Sequence, residues 1–418
     1  MIPKFDIYKE KWAVKSDDVI KPGLAAIEEA LAIVGSPEKN LQVVHLAGSN
    51  GKGSTLTFIE SMLNEHSLHV GKFMSPCILD VHDQIQVANQ PISGEEMDRV
   101  FHQMQLAGLS GKLTDFELLT VAAFLHFVNS HVDVAIIEAG MGGLLDSTNV
   151  VTPIVSIIPS IAFEHTRYLG NTIESIAHHK AGIIKQHQPV IIGDLPLEAK
   201  AIIYKEARMK QSTVLELDDQ FYIEHTKNGE CYTNDENGLR ITNLLRKMKG
   251  QHQANNMALA ITAFFEVATT LNVPVSIQGI QNGINKAEIL GRFEEILPYI
   301  IVDGAHNPAS AEKLIATIRH EFPDELITFV IGILADKDVK KVLYQLEQVS
   351  DTFYFVDFDN PRAMSAKDML GLSNATYKEV LSDYDQFLQK QSENKCRTVV
   401  TGSLYLLTEV RNRLIGNS

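Results

Sequence analysis

Seven residues constrain what this chain can become more than any others: Gly48-Ser49-Asn50-Gly51-Lys52-Gly53-Ser54. A short apolar run of β type, residues 41–47, leads into them. A helical pattern of Thr55, Leu56, Phe58, Ile59, Met62 and Leu63 leads out. A strand that turns through glycines into a helix N-terminus makes a phosphate cradle. The glycines let backbone N–H groups converge on the anion, the helix dipole favours negative charge, and Lys52 adds a full positive one. The usual P-loop places Ser or Thr directly after the Lys, where its hydroxyl reaches Mg²⁺. Here Gly53 separates Lys52 from Ser54, so a metal would take some of its ligands from elsewhere in the chain.

The rest of the chain supports an α/β reading. Strand-like runs at 133–138, 153–158 and 189–193 alternate with helical patterns at 116–129 and 171–185, the latter with Asn171 as expected N-cap. Short β-branched strands between amphipathic helices predict a doubly wound, mainly parallel sheet. Residues 213–250 are more polar and carry the turn signals Asn228-Gly229 and Asn237-Gly238, before a long helix from about 253 to 271. Past Gly291-Arg292 the alternation restarts, with strands expected at 299–303, 326–331, 352–357 and 397–401. With 418 residues, two or three domains are expected. The predicted division is a P-loop domain over 1–290 and a smaller Rossmann-like α/β domain over 291–418.

Composition narrows the function classes. A net charge of −15 argues against a general nucleic-acid binder, although local Lys and Arg can still hold an anionic substrate. Three scattered cysteines and an N-terminus without an apolar leader lead to a cytoplasmic expectation. The longest uncharged stretch, 147–163, is broken by prolines and hydroxyls, so no membrane association is expected. Chemistry is concentrated at strand ends. Glu138 closes an apolar run and precedes Ala139-Gly140-Met141-Gly142-Gly143, the place where open α/β sheets bind ligands. Read physically, it is a Mg²⁺ ligand beside the cradle, or else a solvent-facing strand-end carboxylate. His165, in Glu164-His165-Thr166, follows the next strand and falls near Glu138 if the two strands are neighbours.

Many motifs recur in one order and spacing: Gly48–Ser54, Met74-Ser75-Pro76, Asp115-Phe116-Glu117, Glu138–Gly143 with Asp146-Ser147-Thr148-Asn149, and Glu164-His165-Thr166. They continue with Lys180-Ala181-Gly182, Gly250-Gln251-His252-Gln253 with Asn255-Asn256, Gly291-Arg292, Asp303–Pro308 and Thr401–Tyr405. From about residue 40 to 414 the chain resembles folylpolyglutamate synthase, or the bifunctional dihydrofolate synthase, of the Mur ligase superfamily. The resemblance implies that ATP phosphorylates a folate carboxylate and that the amine of L-glutamate attacks the acyl phosphate. The implied cofactors are ATP and two Mg²⁺ ions, and the implied substrates are folate or dihydropteroate with glutamate. A monomer is expected. It assigns one Mg²⁺ to Ser75 and Glu138, the other to Glu138 and His165, and a carbamylated lysine to Lys180. The domains are expected to close on ATP, with Asn255, Arg292 and Asp303 on the nucleotide and His306 near the phosphates and glutamate. Ser403 is placed near glutamate, or is a helix cap; Phe116 and Asp146 are placed at the pterin.

Two alternatives compete with this reading. A Mur-type cell-wall ligase would carry a sugar-nucleotide domain of about 100 residues ahead of the P-loop, whereas 47 residues precede Gly48. A non-catalytic nucleotide-binding module would not need Lys52, Glu138, His165, Lys180 and His306 together. The sequence departs from the family's usual residues at Gln84, Leu144 and Glu164, positions that bear on substrate choice more than on catalysis.

Overall fold

The computed structural model describes residues 2–17, 23–77 and 79–416. The chain divides into two compact units, one of residues 1–247 with 253–288, the other of 248–252 with 289–418. Among the described residues, eight strands build the main sheet of the first unit. They are β1 (Val43–Leu46), β2 (Val70–Phe73), β3 (Ile85–Val87), β4 (Gln90–Pro91), β5 (Val134–Glu138), β6 (Val155–Ile158), β7 (Val190–Ile192) and β8 (Val214–Glu216). Their order is β4-β3-β2-β5-β1-β6-β7-β8, parallel except for the β2–β3 and β3–β4 pairs.

The central strands are buried along their whole length, as near-continuous Val and Ile runs require when helices cover both faces. Val43, Phe73, Ala135 and Ile137 join one core with Phe124, Phe127 and Met97 from the helices Asp115–Asn129 and Gly94–Leu106. Ile158, Val190 and Ile192 join another with Ile176 and Ile203 from Ile173–Ala181 and Leu197–Lys210. Each such fully buried Val, Ile, Phe or Met side chain contributes roughly 1.5–3 kcal/mol. The expected cap of the Ile173–Ala181 helix needs correction: Thr172, not Asn171, is the N-cap, its hydroxyl accepting from the Ser175 N–H at 3.1 Å. A Thr immediately before the first helical residue satisfies an orphan donor that a residue one place earlier cannot reach.

The polar stretch after β8 folds into an antiparallel sheet of β9 (Phe221–Thr226), β10 (Gly229–Asn234) and β11 (Leu239–Leu244). Its two turns contain Gly229 at φ +116° and Gly238 at φ +68°. The long helix then runs Gln251–Leu271.

The second unit carries a six-stranded sheet in the order β12 (Glu294–Leu297), β13 (Ile300–Asp303), β17 (Thr398–Thr401), β14 (Thr328–Ile331), β15 (Thr352–Val356), β16 (Tyr377–Leu381). It is parallel except for the β12–β13 hairpin. Phe329, Phe353 and Phe355 stack through one of its cores.

Candidate active site

The parallel register decides where the functional side chains emerge. Leu46 of β1 pairs with Glu138 of β5 and Ile157 of β6, and Phe73 of β2 pairs with Ile137 of β5. β1 lies between β5 and β6, so the strands of Glu138 and of the His165 segment are not the neighbours expected. Gly48, Ser75, Glu138 and the segment leading to His165 nonetheless all leave the C-terminal edge of four adjacent strands, where such sheets bind ligands.

The cradle is braced from behind. The Ser49 N–H donates to the Ser160 carbonyl at 2.9 Å, and the Asn50 N–H donates to the Ser160 hydroxyl at 2.9 Å. Ser49 Oγ accepts from the Ala162 N–H, also at 2.9 Å. A Cβ at position 48 would stand 3.0 Å from Pro159, tighter than most Cβ contacts. Gly51 has φ +89°, and a Cβ there would lie 2.5 Å from Asn256 Oδ1. With Ser49 and Asn50 donating to the 159–162 segment, the amides left for an anion are those at the start of the Lys52–Glu65 helix, which lack intrahelical acceptors. Lys52 Nζ donates to the Gly48 carbonyl at 2.6 Å and lies 3.6 Å from Glu138 Oε1. The lysine thus spans the loop towards the strand-end carboxylate.

Beside it lies a buried ion pair that sequence reasoning missed. Lys180 Nζ donates to Glu164 Oε1 at 2.5 Å, with side chains 1% and 8% exposed. Burial alone would raise the Glu164 carboxyl, but the charges of Lys180 and Lys52 outweigh it and hold it at about 2. Burial pushes Lys180 down from the usual lysine range while Glu164 opposes the shift. The signal was present as a Glu directly before His165, but only the fold brings it to a helix sixteen residues on. His165 is exposed and sits at φ 44°, a left-handed conformation uncommon for a residue with a Cβ.

Two assigned residues have internal work. Asp146 accepts from the Met141 N–H at 2.7 Å and from the Thr148 hydroxyl at 2.6 Å, so it holds the turn after Glu138. Phe116 stacks on Phe73 at 5.7 Å and presses on Gly140, where a Cβ would meet its ring at 2.5 Å. Asn256 approaches the cradle at Gly51, and its neighbour Asn255 is half-buried on the same helix.

In the second unit, Asp303 ends β13 and accepts from the Phe293 and Ala305 N–H groups, both at 2.9 Å. Burial raises its carboxyl and Arg292 opposes that rise. The Arg292 guanidinium lies over Gly304, where a Cβ would stand 2.1 Å from Nη1. His306 Nδ1 donates to the Gly304 carbonyl at 2.8 Å. Ser403 is 3% exposed and caps the Leu404–Leu414 helix, accepting from the Tyr405 N–H at 3.2 Å.

A cavity of about 550 Å³, lined in part by His69, Arg99 and His126, opens at the opposite end of β2 and β5 and takes no part in this site. Among the described residues no three His, Cys, Asp or Glu side chains gather as a metal cage, and no helix is long and apolar enough to cross a membrane.

Comparison with known proteins places this geometry. A Mur ligase middle domain model matches residues 46–264, and a dihydrofolate synthetase C-terminal domain model matches residues 293–414. The chain is 36% identical over 410 residues to the dihydrofolate synthase/folylpolyglutamate synthase of Bacillus subtilis, covering 94% of this chain and 95% of that one. The chain belongs to the dihydrofolate synthase/folylpolyglutamate synthase family. A second family member, the folylpolyglutamate synthase of Lacticaseibacillus casei, is 34% identical, covering 92% of this chain and 93% of that one. Among solved family structures, E. coli FolC in complex with DHPP and ADP superposes with a TM-score of 0.88 at 28% identity, covering 97% and 96% of the two chains. An FPGS–AMPPCP–folate complex gives 0.87 at 30%, covering 98% and 99%. The Mur ligase middle domain match includes the cradle, Glu138, His165 and Lys180, and the second match includes Asp303, His306 and Ser403.

Proposed function

We propose that this chain uses ATP to join L-glutamate to the carboxylate of a folate, or of dihydropteroate, through an acyl phosphate. The observation that carries the reading is the Lys52 ammonium set between the glycine cradle and Glu138 at the C-terminal sheet edge. Lys52 and the first-turn amides take up the negative charge of the ATP phosphates, and they stabilise the transferring phosphoryl group as its charge spreads. The acceptor carboxylate attacks the γ-phosphorus and ADP leaves; the glutamate amine then attacks the acyl carbon and phosphate leaves. Arg292 would neutralise phosphate charge, Asp303 and Asn255 would serve the nucleotide, and His306 would lie near the phosphates and the incoming glutamate. Phe116 offers a face for the pterin ring, and Asp146 fixes the turn beneath it.

The donor set of Ser75, Glu138 and His165 fits Mg²⁺, which keeps several waters and is bound through one or two carboxylates and substrate phosphates rather than a full protein cage. When bound, Mg²⁺ would neutralise the phosphate oxygens. Lys180 is proposed to act as a carbamate, which replaces the ammonium facing Glu164 with an anion and so needs nearby cations. Lys180→Ala should lose activity, and short carboxylates should restore part of it; full activity in that variant removes the carbamate role.

Purified protein with ATP, Mg²⁺ and labelled glutamate, given dihydropteroate or tetrahydrofolate, tests the whole reading. At least one acceptor should gain glutamate with release of ADP. If neither does, the proposed reaction is wrong.

A further inference from the structure

The four consecutive residues after the Glu138 turn each send a side chain to a different element. Asp146 accepts from the Met141 N–H of the turn itself at 2.7 Å. Ser147 Oγ meets Thr120 Oγ1 at 2.8 Å, on the helix whose first turn holds Phe116. Thr148 Oγ1 meets His45 Nε2 at 2.9 Å, on the strand that runs into the cradle. Asn149 Nδ2 donates to the carbonyls of Leu144 and Gly182, each at 3.0 Å, two residues past Lys180.

The middle of this junction has a defined proton order. Thr148 has one hydroxyl proton and donates it to Asp146 Oδ1 at 2.6 Å. It must therefore accept from His45, which fixes the imidazole as the Nε2–H tautomer. His45 is fully buried, and its Nδ1 has no hydrogen-bond partner. Burial, with a smaller contribution from Lys185, pushes the ring down to about 3, so it is neutral near pH 7. A buried histidine with one nitrogen unsatisfied is a costly choice for a strand core, where Val or Ile would pack without that penalty.

We infer that His45 and Thr148 are positioning residues for the folate acceptor: they orient the Asp146 carboxylate, which holds the Gly140–Met141 turn against Phe116. Gly140 is already in close contact with the Phe116 ring, so a small shift of the turn changes the face offered to the pterin. The inference rests on the acceptor wall proposed above and adds the residues that set it.

Thr148→Val keeps shape and removes both hydrogen bonds, whereas Thr148→Ser restores the hydroxyl. The valine variant should raise the acceptor KM about tenfold, leave the ATP KM unchanged, and weaken folate binding measured by calorimetry with a non-hydrolysable ATP analogue present. The serine variant should recover most of each loss. Should the valine variant not fold, His45→Gln, which keeps a donor near the place of Nε2, and His45→Asn, which lacks one there, give the same paired reading. A fall in all constants together with melting temperature, not recovered by serine, assigns these residues to stability alone and overturns the inference. Wild-type folate binding with an unaltered valine variant also overturns it. No folate binding by the wild-type chain overturns the acceptor reading itself, and this inference with it.

Discussion

At the scale of single residues, the pair Lys180–Glu164 makes the firmest prediction. In the chain whose Lys180 is not carbamylated, breaking this buried ion pair by removing one charge leaves the other uncompensated, and Glu164→Gln should destabilise the fold by roughly 3–5 kcal/mol. The pH dependence follows from the depressed carboxyl. Glu164 ionises at about 2 in the folded chain against 4.5 for an ordinary glutamate, so its contribution is fully present above about 4.5. It is lost as pH falls through that window towards 2. Melting temperatures measured from neutral pH downwards should therefore fall more steeply in this window for the wild type than for Glu164→Gln. Parallel profiles would show that the pair does not carry this charge coupling. The sequence displayed both partners but not their meeting. Glu164 read as a departure from the family's usual residue, and Lys180 as a carbamylated lysine, but their pairing did not, because the contact depends on how the segment after β6 and the Ile173–Ala181 helix pack. Ser403 was read as a glutamate contact or a helix cap, and it does cap the Leu404–Leu414 helix; the hydrogen bonds of Asp146 within the protein needed coordinates.

At the scale of elements, the strand–glycine–helix unit was the most legible part of the chain, because its chemistry is local. Strand, turn and helix N-terminus lie within twenty-five residues, and each has its own sequence signal. The parallel sheet followed from apolar runs alternating with amphipathic helices. The edge elements β3, β4, β12 and β16 were not legible: they are short or exposed, and exposed strands lack the apolar run that marks a buried one. The brace behind the cradle was equally hidden, since Ser160 and Asn256 come from 110 and more residues away. This brace predicts a specific cost at Gly51. Gly51→Ala would place a Cβ at a left-handed φ and against Asn256 Oδ1, a strain of about 1–3 kcal/mol. The variant should melt earlier and show a raised ATP KM with the glutamate KM unchanged. Unchanged ATP affinity would mean that the loop does not bind phosphate in this conformation.

At the scale of the whole molecule, each unit presents its candidate residues at the C-terminal edge of a mainly parallel sheet: Gly48, Ser75 and Glu138 in the first, Asp303 and Ser403 in the second. This shared arrangement explains why several motifs scattered from residue 48 to 403 fall at strand ends, while Phe116, Lys180 and Asn255 sit on helices. The net charge of −15 does not exclude anionic substrates, because a cation such as Lys52 is held by backbone at a fixed place beside the cradle. The central claim is the acyl phosphate, and heavy-oxygen transfer tests it most directly. With the acceptor carboxylate labelled in heavy oxygen, each turnover should deliver one labelled oxygen into the released phosphate, read by mass spectrometry. Glutamate addition that yields only unlabelled phosphate would contradict the mechanism.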